Sequence, residues 1–304
     1  MPSSMKKKSP ELHGTGVALV TPFKKNGAVD FNALERLTND LIAEGCDYLV
    51  PLGTTGETAT LTNDEKRDVL HCVVKTGKGR KPIVLGLGGN NTAELVAQLE
   101  HNTFDGVDAL LSVSPYYNKP SQRGIIAHYT ALSKASPLPI ILYNVPGRTG
   151  SNIHASTTLQ LANEVPGIVG IKEASGKVEQ ILEILAGAPK GFRVISGDDG
   201  ITLPLIAAGA CGVISVVANA FPKQTSEMVN KCLAGDFAKA RVLHNLLLPI
   251  IPALFEEGSP SGIKHILSRM GRMENTVRLP AVPVSSSHSR RLDALFAPLI
   301  KSSR

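Results

Sequence analysis

The sequence has no tryptophan and only 4% aromatic residues, and neither its four cysteines nor its eight histidines are spaced as metal ligands. No Cys-x-x-Cys or His-Glu-x-x-His pattern occurs, so nothing indicates a zinc site. A chain this poor in aromatics, without a basic stripe, lacks the stacking platforms of nucleic-acid-binding proteins. We therefore expect neither a bound metal nor a nucleic-acid partner.

Apolar runs of membrane-spanning length are also missing. The segment Met1–Pro10 contains three lysines but no apolar stretch after them, which is unlike a secretory signal. Together these absences predict no membrane partner and a cytoplasmic location in which the cysteines stay reduced.

Acidic residues are scarce only at the ends of the chain, so the formal charge of +6 is unevenly distributed. Residues 264–304 carry eight basic and two acidic side chains, whereas residues 11–263 carry 21 basic and 24 acidic ones. Basic ends on a slightly acidic body favour solubility over the binding of an anionic polymer.

Short β-branched runs alternate with longer amphipathic segments along most of the chain. The predicted strands are Val17–Thr21, Tyr48–Leu52, Ile83–Leu87, Ala109–Val113, Ile140–Asn144, Val169–Lys172, Arg193–Ser196 and Gly212–Val217. Asp30 is a predicted N-cap for the first helix, and Thr62 with Glu65 forms a predicted capping box for the second. Eight such units without a long linker predict a (β/α)8 TIM barrel of the α/β class.

Two more helices are predicted beyond the eighth unit, over Pro260–Met270 and Ser289–Ile300. We therefore divide the chain into a disordered N-terminal tail over residues 1–12, a barrel over residues 13–235 and a C-terminal helical domain over residues 236–304.

Lys172 ends an apolar run and is followed at once by polar and small residues. A buried lysine is costly to keep charged unless it is paired, and its free amine is a nucleophile towards carbonyls. This run alone leaves open the alternatives that Lys172 reaches water or pairs with Glu173.

Two other segments carry compatible chemistry. Gly53–Glu57 places two glycines around two threonines, which can expose backbone N–H groups to a carboxylate, although a plain glycine-rich turn is the alternative. Another predicted strand ends near Tyr143, whose hydroxyl can relay a proton. Arg148 follows this strand and can hold a carboxylate. A surface salt bridge is the alternative for the arginine. A lysine, a carboxylate nest, a phenol and an arginine at strand ends indicate carbonyl chemistry on acids.

The order and spacing of six motifs resemble the dihydrodipicolinate synthase family of pyruvate-dependent class I aldolases, whose superfamily also contains N-acetylneuraminate lyase. These motifs are Gly53–Glu57, Ser114–Pro120, Tyr143–Arg148, Gly170–Glu173, Ser196–Asp199 and Gly212–Ser215. The resemblance implies condensation of pyruvate with L-aspartate 4-semialdehyde to 4-hydroxy-tetrahydrodipicolinate, in the diaminopimelate and lysine pathway. It also implies a homotetramer built as a dimer of dimers.

The resemblance assigns a role to each residue of the predicted site. Lys172 would form an imine with pyruvate, and Thr55 with its neighbouring N–H groups would hold the pyruvate carboxylate. Tyr143 would move protons during imine formation. Thr54 would link Tyr143 to Tyr117, which would reach in from a neighbouring subunit, although ordinary aromatic packing is the alternative for that tyrosine.

Three more substrate-binding residues come from the same resemblance. Arg148 would bind the carboxylate of the aldehyde substrate, while Gly197 and Ile214 would offer backbone contacts near the imine. Asp198 and Asp199 suggest a metal or acid–base pair, but adjacent strand residues point to opposite faces, so helix capping by one of them is the prediction.

Family members can also bind free lysine at a dimer interface. The matching positions here are Thr58, Ala59, Asn63, Lys66, Asn90, Glu94 and Tyr116. Lys66 stands where lysine-sensitive members usually carry histidine or glutamate, and its cation disfavours a cationic ligand. Glu94 could hold the ligand's ammonium group, so the residues give opposing signs and predict at most a weak lysine site.

Three alternatives compete with this interpretation. A non-catalytic barrel that senses pyruvate-like acids would need no nucleophile, so the complete residue set disfavours it. A pyridoxal-phosphate barrel would need a phosphate-binding glycine loop after the late strands, and none is found; no cofactor is therefore predicted. Glu173, Asn118 and Arg148 favour the synthases over sialic-acid lyases.

One departure from the family is Ser259–Gly262, where many synthases have an Asn-Pro-Ile/Val-Pro-like run.

Overall fold

Residues 12–301 are described by a computed structural model. The disordered tail predicted over residues 1–12 therefore lies outside the described residues, apart from its last member. Leu12 is buried, and its carbonyl oxygen accepts a hydrogen bond from the Cys211 thiol at 3.5 Å. The division into three domains stays a prediction.

Eight parallel strands form one sheet that curves into a barrel. They are β1 Gly14–Ala18, β2 Tyr48–Val50, β3 Val84–Gly86, β4 Ala109–Val113, β5 Ile140–Asn144, β6 Ile168–Glu173, β7 Arg193–Ser196 and β8 Gly212–Ser215. The spatial order is β2-β1-β8-β7-β6-β5-β4-β3, and a parallel bridge between Leu49 and Ile83 joins β2 to β3. The predicted TIM barrel is confirmed.

Helices follow the strands and continue past the barrel. Their bounds are α1 Phe31–Ala43, α2 Asn63–Gly77, α3 Thr92–His101, α4 Gln122–Ala135, α5 Pro146–Thr149, α6 Ala155–Glu164, α7 Val178–Gly187, α8 Thr202–Ala207, α9 Pro222–Leu233, α10 Phe237–Leu247, α11 Ile250–Ala253, α12 Ser261–Arg269 and α13 Ser286–Lys301. Short 3₁₀ turns cover Thr54–Gly56, Thr58–Thr60, Asp199–Ile201 and Val217–Asn219. None of the helices within residues 12–301 combines the length and the apolar character that crossing a membrane requires.

Both predicted helix starts are confirmed. The Asp30 carboxylate accepts a hydrogen bond from the Ala33 N–H at the start of α1. At the start of α2, Thr62 and Glu65 exchange hydrogen bonds between side chain and backbone, which satisfies two of the free N–H groups of the first turn. These caps fix where the chain leaves each loop.

The prediction of the first strand was wrong by three residues, because β1 begins at Gly14 and not at Val17. A Cβ at Gly16 would lie 2.1 Å from the Tyr48 ring, so this strand needs a residue type that strand propensity disfavours. The Leu19 N–H still donates to Val50 of β2 at 3.0 Å, but the next N–H, that of Val20, donates to the Asn219 side chain at 3.1 Å. Local propensity therefore placed the strand too late.

Alternate residues of the strands fill the interior of the barrel. Val50, Val84, Leu111, Ile141 and Ile195 pack there into a cluster separate from the larger core between strands and helices. A side chain at the carboxyl end of a strand can therefore face either the barrel axis or the surrounding helices.

The C-terminal helices pack tightly despite the unusual run before them. Every residue of α12 from Ser261 to Leu267 is buried. A Cβ at Gly262 would lie 2.5 Å from the Leu254 carbonyl oxygen, so the glycine permits α12 to approach the preceding turn. The departure from the family pattern thus coincides with a close backbone contact.

Candidate active site

Lys172 and Tyr143 lie side by side at the carboxyl ends of β6 and β5. They are paired in the strand register, and the Lys172 amine lies 4.5 Å from the centroid of the Tyr143 ring. Lys172 is only 5% exposed, and within residues 12–301 no carboxylate lies within ion-pairing distance of it. A buried amine without a counter-ion, beside a phenol, is suited to nucleophilic attack with nearby proton transfer.

Glu173 does not pair with Lys172, because the two residues point to opposite faces of β6. The fully buried Glu173 carboxylate accepts hydrogen bonds from Asn144 at 3.1 Å, Gln180 at 2.9 Å and the Ser175 N–H at 2.9 Å. Asn144 also receives the Ile153 N–H at 2.9 Å. Neutral donors thus hold the end of β6 against β5 and α7, which fixes the backbone that carries Lys172.

We expect Glu173→Gln to lower the stability of the folded protein. The new amide nitrogen would face the amide donors of Asn144 and Gln180, so buried donors would lose their acceptor, at a cost of about 1–3 kcal/mol. Thermal unfolding followed by circular dichroism measures the change. Glu164→Gln is the matched control, since Glu164 accepts a hydrogen bond from Gln160 on an exposed helix face. An unchanged midpoint for Glu173→Gln would contradict the role of the network.

The turn Gly53–Glu57 directs its carbonyl groups into the protein. The Gly53 oxygen accepts from Gly56 N–H at 3.1 Å and from Thr58 Oγ1 at 3.0 Å, and the Gly56 oxygen accepts from Thr21 Oγ1 at 2.7 Å. The N–H groups of Thr54 and Thr55 form no hydrogen bond to a protein acceptor within the described residues, as expected at the start of a helical turn. The turn therefore offers free donors to an anion.

Gly197 borders the Lys172 side chain, and Ile214 lies in the barrel interior. A Cβ at Gly197 would lie 3.0 Å from Lys172 Cε and 2.6 Å from Ala174 Cβ, so only glycine leaves room for the lysine. Ile214 is buried in the same interior cluster as Tyr143. Both predicted residues thus lie at the barrel interior, and their contacts with a substrate stay predictions.

Arg148 and Tyr117 are exposed on loops that follow β5 and β4. Arg148 belongs to the short helix α5 and takes part in no ion pair found among residues 12–301, so it is free to bind an acid. Tyr117 is 88% exposed and has a left-handed backbone with φ of 71°. Asn118 stabilises this loop by donating its side-chain amide to the Asn90 oxygen at 2.9 Å.

Asp198 and Asp199 both accept hydrogen bonds from backbone N–H groups of nearby loops. Asp198 caps the 3₁₀ turn Asp199–Ile201 by accepting the Gly200 N–H at 2.9 Å, as predicted. Asp199 is buried and accepts the N–H groups of Val216 and Val217 at 3.0 Å. Burial raises the pKa of Asp199. These carboxylates therefore fix the loops after β7 and β8.

Sequence reasoning missed Lys264 and Arg278, two basic residues that hold the Glu57 end of the Gly53–Glu57 turn. Glu57 is buried, and one of its carboxylate oxygens pairs with Lys264 of α12. The other accepts a hydrogen bond from the backbone N–H of Arg278 at 2.9 Å. Arg278 also bonds Glu65 and lowers the pKa of that carboxyl to about 2. The apolar stripe of α12, Ile263, Ile266 and Leu267, leaves Lys264 outside it, a position that usually faces water, so only the structure reveals that Lys264 is buried.

The geometry agrees with comparisons to known proteins. A profile of the dihydrodipicolinate synthetase family matches residues 11–298. The 4-hydroxy-tetrahydrodipicolinate synthase of Parabacteroides distasonis is 53% identical over 272 residues, covering 90% of this chain and 92% of that protein.

Two solved structures of dihydrodipicolinate synthases are also similar. That of Acinetobacter baumannii, chloride-inhibited and complexed with pyruvate, is 39% identical with a TM-score of 0.92, and the match covers 94% of this chain and 98% of that one. That of Cyanidioschyzon merolae, with lysine bound, is 36% identical with a TM-score of 0.91 and the same two coverages. The chain belongs to the dihydrodipicolinate synthetase family.

Proposed function

We propose that this protein is a lyase that condenses pyruvate with L-aspartate 4-semialdehyde to give 4-hydroxy-tetrahydrodipicolinate, the first committed step of the diaminopimelate and lysine pathway. The observation that carries the proposal is the buried Lys172 amine, which has no ion-pair partner within residues 12–301 and lies against Tyr143. The complex of the Acinetobacter baumannii relative with pyruvate supports the same first substrate. The predicted cytoplasmic location stays a prediction.

The reaction begins at the Lys172 amine. Its nitrogen attacks the keto carbon of pyruvate, and the keto oxygen leaves as water, with Tyr143 transferring protons. The protonated imine draws electrons from the methyl group, which loses a proton to form an enamine. The free N–H groups of Thr54 and Thr55 hold the pyruvate carboxylate during these steps.

The enamine carbon then attacks the aldehyde carbon of the second substrate. Arg148 binds the carboxylate of that substrate through a bidentate pair, which orients the aldehyde. The amine of the same substrate displaces Lys172 from the imine carbon, which closes the ring and regenerates the enzyme. Gly197 leaves space for Lys172 to move between these states, and Ile214 lines the interior beside it.

The proton relay needs a second subunit in this proposal. Among the described residues Tyr117 finds no partner for its hydroxyl, and no hydrogen bond joins Thr54 to Tyr143. An exposed tyrosine on a left-handed backbone is costly to keep unless it packs against something. We place Tyr117 in the site of a neighbouring subunit, where Thr54 links it to Tyr143, within a homotetramer built from two dimers.

Product analysis tests the proposed reaction. The enzyme incubated with pyruvate and L-aspartate 4-semialdehyde should form 4-hydroxy-tetrahydrodipicolinate, as detected by mass spectrometry. It should release no pyruvate from N-acetylneuraminate. Release of pyruvate from that sugar acid, with no condensation, would assign the enzyme to the lyase branch of the superfamily.

A weak lysine site is part of the proposal, and a lysine-bound relative supports its existence. The predicted positions lie on the 3₁₀ turn Thr58–Thr60, at the start of α2, on α3 and the loop before it, and on the loop of the paired tyrosines. There the Asn90 side chain donates to the Tyr116 oxygen at 3.2 Å. Lys66 is half-buried in the first turns of α2 and forms no ion pair among residues 12–301.

We expect lysine below millimolar concentration to inhibit the enzyme weakly or not at all. The Lys66 cation opposes the ligand's side-chain cation by about 1 kcal/mol at 4 Å in water and by more when partly buried. A lysine titration of the condensation rate measures the effect, with Lys66→His as the comparison variant. Half-inhibition at micromolar lysine would be the contrary result, and an equally insensitive Lys66→His would exclude Lys66 as the cause.

A further inference from the structure

Glu57 links the carboxylate-binding turn to the C-terminal part of the chain. It is buried, lies between the two 3₁₀ turns that follow β2, and has a left-handed backbone with φ of 53°. Residues other than glycine hold this conformation only where their surroundings enforce it. The enforcing contacts come from far along the sequence, since Lys264 and Arg278 occupy the two carboxylate oxygens.

Lys264 is fully buried and is fixed on several sides. Besides Glu57, its amine donates to the Thr276 carbonyl oxygen at 3.0 Å and lies 4.0 Å from the centroid of the Phe23 ring. The Arg278 guanidinium lies 4.4 Å from the same ring, but Glu65, Gly27 O and Thr60 O occupy its nitrogen atoms. Glu57 is thus the one carboxylate that pairs with Lys264 among residues 12–301.

The pair acts on the turn through the backbone. Glu57 directly follows Thr54, Thr55 and Gly56, and its N–H donates to the Thr54 oxygen at 3.1 Å. If the Glu57 side chain lost its anchor, its left-handed backbone would relax, and the N–H groups of Thr54 and Thr55 would no longer be held in one direction. Precisely held donors bind an anion better than mobile ones, because less freedom is lost on binding.

We propose that Lys264 and Glu57 form a positioning pair, through which the C-terminal helices set the affinity of the barrel for the carboxylate of its first substrate. This role rests on the proposed function, since the carboxylate is that of pyruvate. Neither side chain touches the reacting atoms. Their effect on catalysis passes entirely through the Thr54–Thr55 turn.

A pH dependence follows from the surroundings of Lys264. Burial lowers the pKa of Lys264 to about 8, although the Glu57 carboxylate opposes the shift and Arg278 adds to it. Because this pKa lies below the ordinary value, the ammonium loses its proton as the pH rises through about 8. The KM for pyruvate should therefore rise above that pH in the wild-type enzyme.

The test replaces Lys264 by methionine, which keeps most of the buried volume and removes the charge. Lys264→Met should raise the KM for pyruvate roughly 10–100-fold, as expected for donors misplaced by up to an ångström. The value of kcat should change much less, because binding of the carboxylate is uniform through the reaction. The added rise of KM above pH 8 should disappear in this variant.

A matched control breaks another ion pair, between the segment that follows α12 and the end of α1. Arg272→Met removes the contact with Glu44 at 2.8 Å, away from the turn, and should leave the KM for pyruvate unchanged. The double variant Glu57→Gln/Lys264→Met leaves no unpaired buried charge, so it keeps the test available if Lys264→Met alone fails to fold. It too should bind pyruvate weakly.

Trapping with pyruvate and borohydride separates the possible failures. If the wild-type enzyme is not modified, the proposed function fails and this role fails with it. If the wild-type enzyme is modified but Lys264→Met or the double variant needs no more pyruvate for half-maximal trapping, the positioning pair alone is overturned. If Arg272→Met needed as much additional pyruvate for half-maximal trapping as Lys264→Met does, the cause would be a general loosening of the C-terminal helices. That result would overturn the positioning pair as well.

Discussion

We expect Lys172→Ala to abolish condensation, with kcat reduced on the order of 10⁴–10⁶-fold, as when the nucleophile of a covalent mechanism is removed. The structure provides the physical reason. The Lys172 amine is buried at the carboxyl end of β6, beside Tyr143 and against Gly197, where no carboxylate within residues 12–301 competes for it. Without it no imine forms, and the pyruvate methyl group keeps its proton.

Borohydride reduction followed by peptide mass spectrometry checks the same prediction directly. The wild-type enzyme with pyruvate should carry a pyruvate-sized increment on the peptide that contains Lys172, and Lys172→Ala should carry none. The exposed Lys177 offers the matched control, so Lys177→Ala should be trapped like the wild type. A stable increment on any other lysine of the folded wild-type protein would refute the assignment.

The second large effect is expected at Tyr117. Tyr117→Phe should fold and still bind pyruvate, yet turn over roughly 10²–10⁴-fold more slowly, the usual loss when general acid–base help is removed. Its side chain is 88% exposed on a left-handed backbone. In the proposed assembly the hydroxyl has its partners in another subunit, beside Thr54 and Tyr143.

Mixed oligomers test whether this relay crosses the subunit boundary. Tyr117→Phe and Lys172→Ala should each be nearly inactive alone, but in a mixed dimer one site receives an intact Tyr117 and retains Lys172. Mixing should therefore restore part of the activity, measured after native mass spectrometry has verified the mixed species. If verified mixed oligomers stay inactive, Tyr117 acts within its own chain.

Some of this architecture could be predicted from local sequence alone. Strand β5 was predicted with its observed bounds, because Ile140–Asn144 is rich in β-branched and aromatic residues between turn signals. The helix caps Asp30 and Thr62 were equally clear, since each satisfies N–H groups a few residues away. Lys172 and Tyr143 could be brought together because parallel strands end at one face of a barrel.

Other features depend on contacts that local patterns do not encode. The start of β1 is determined by the close approach of Gly16 to Tyr48, which strand propensity opposes. The Glu57–Lys264 pair joins a turn after β2 to helix α12, and the periodicity of α12 indicates an exposed Lys264 and not a buried ion pair. In the proposed assembly the Tyr117 hydroxyl binds in a second copy of the chain, and such a contact is not encoded in the local pattern of one sequence.

The position of Lys264 in the chain also affects the order in which the protein acquires its parts during synthesis. Glu57 and Lys264 are 207 positions apart, and ribosomes add about 5–20 residues per second, so the anchor emerges roughly 10–40 s after the turn. A nascent barrel already carries Lys172 during part of that interval. Lys172 is thus synthesised before the Glu57–Lys264 pair that fixes the Thr54–Thr55 turn. The growing chain therefore contains the nucleophile before its carboxylate-binding site is complete.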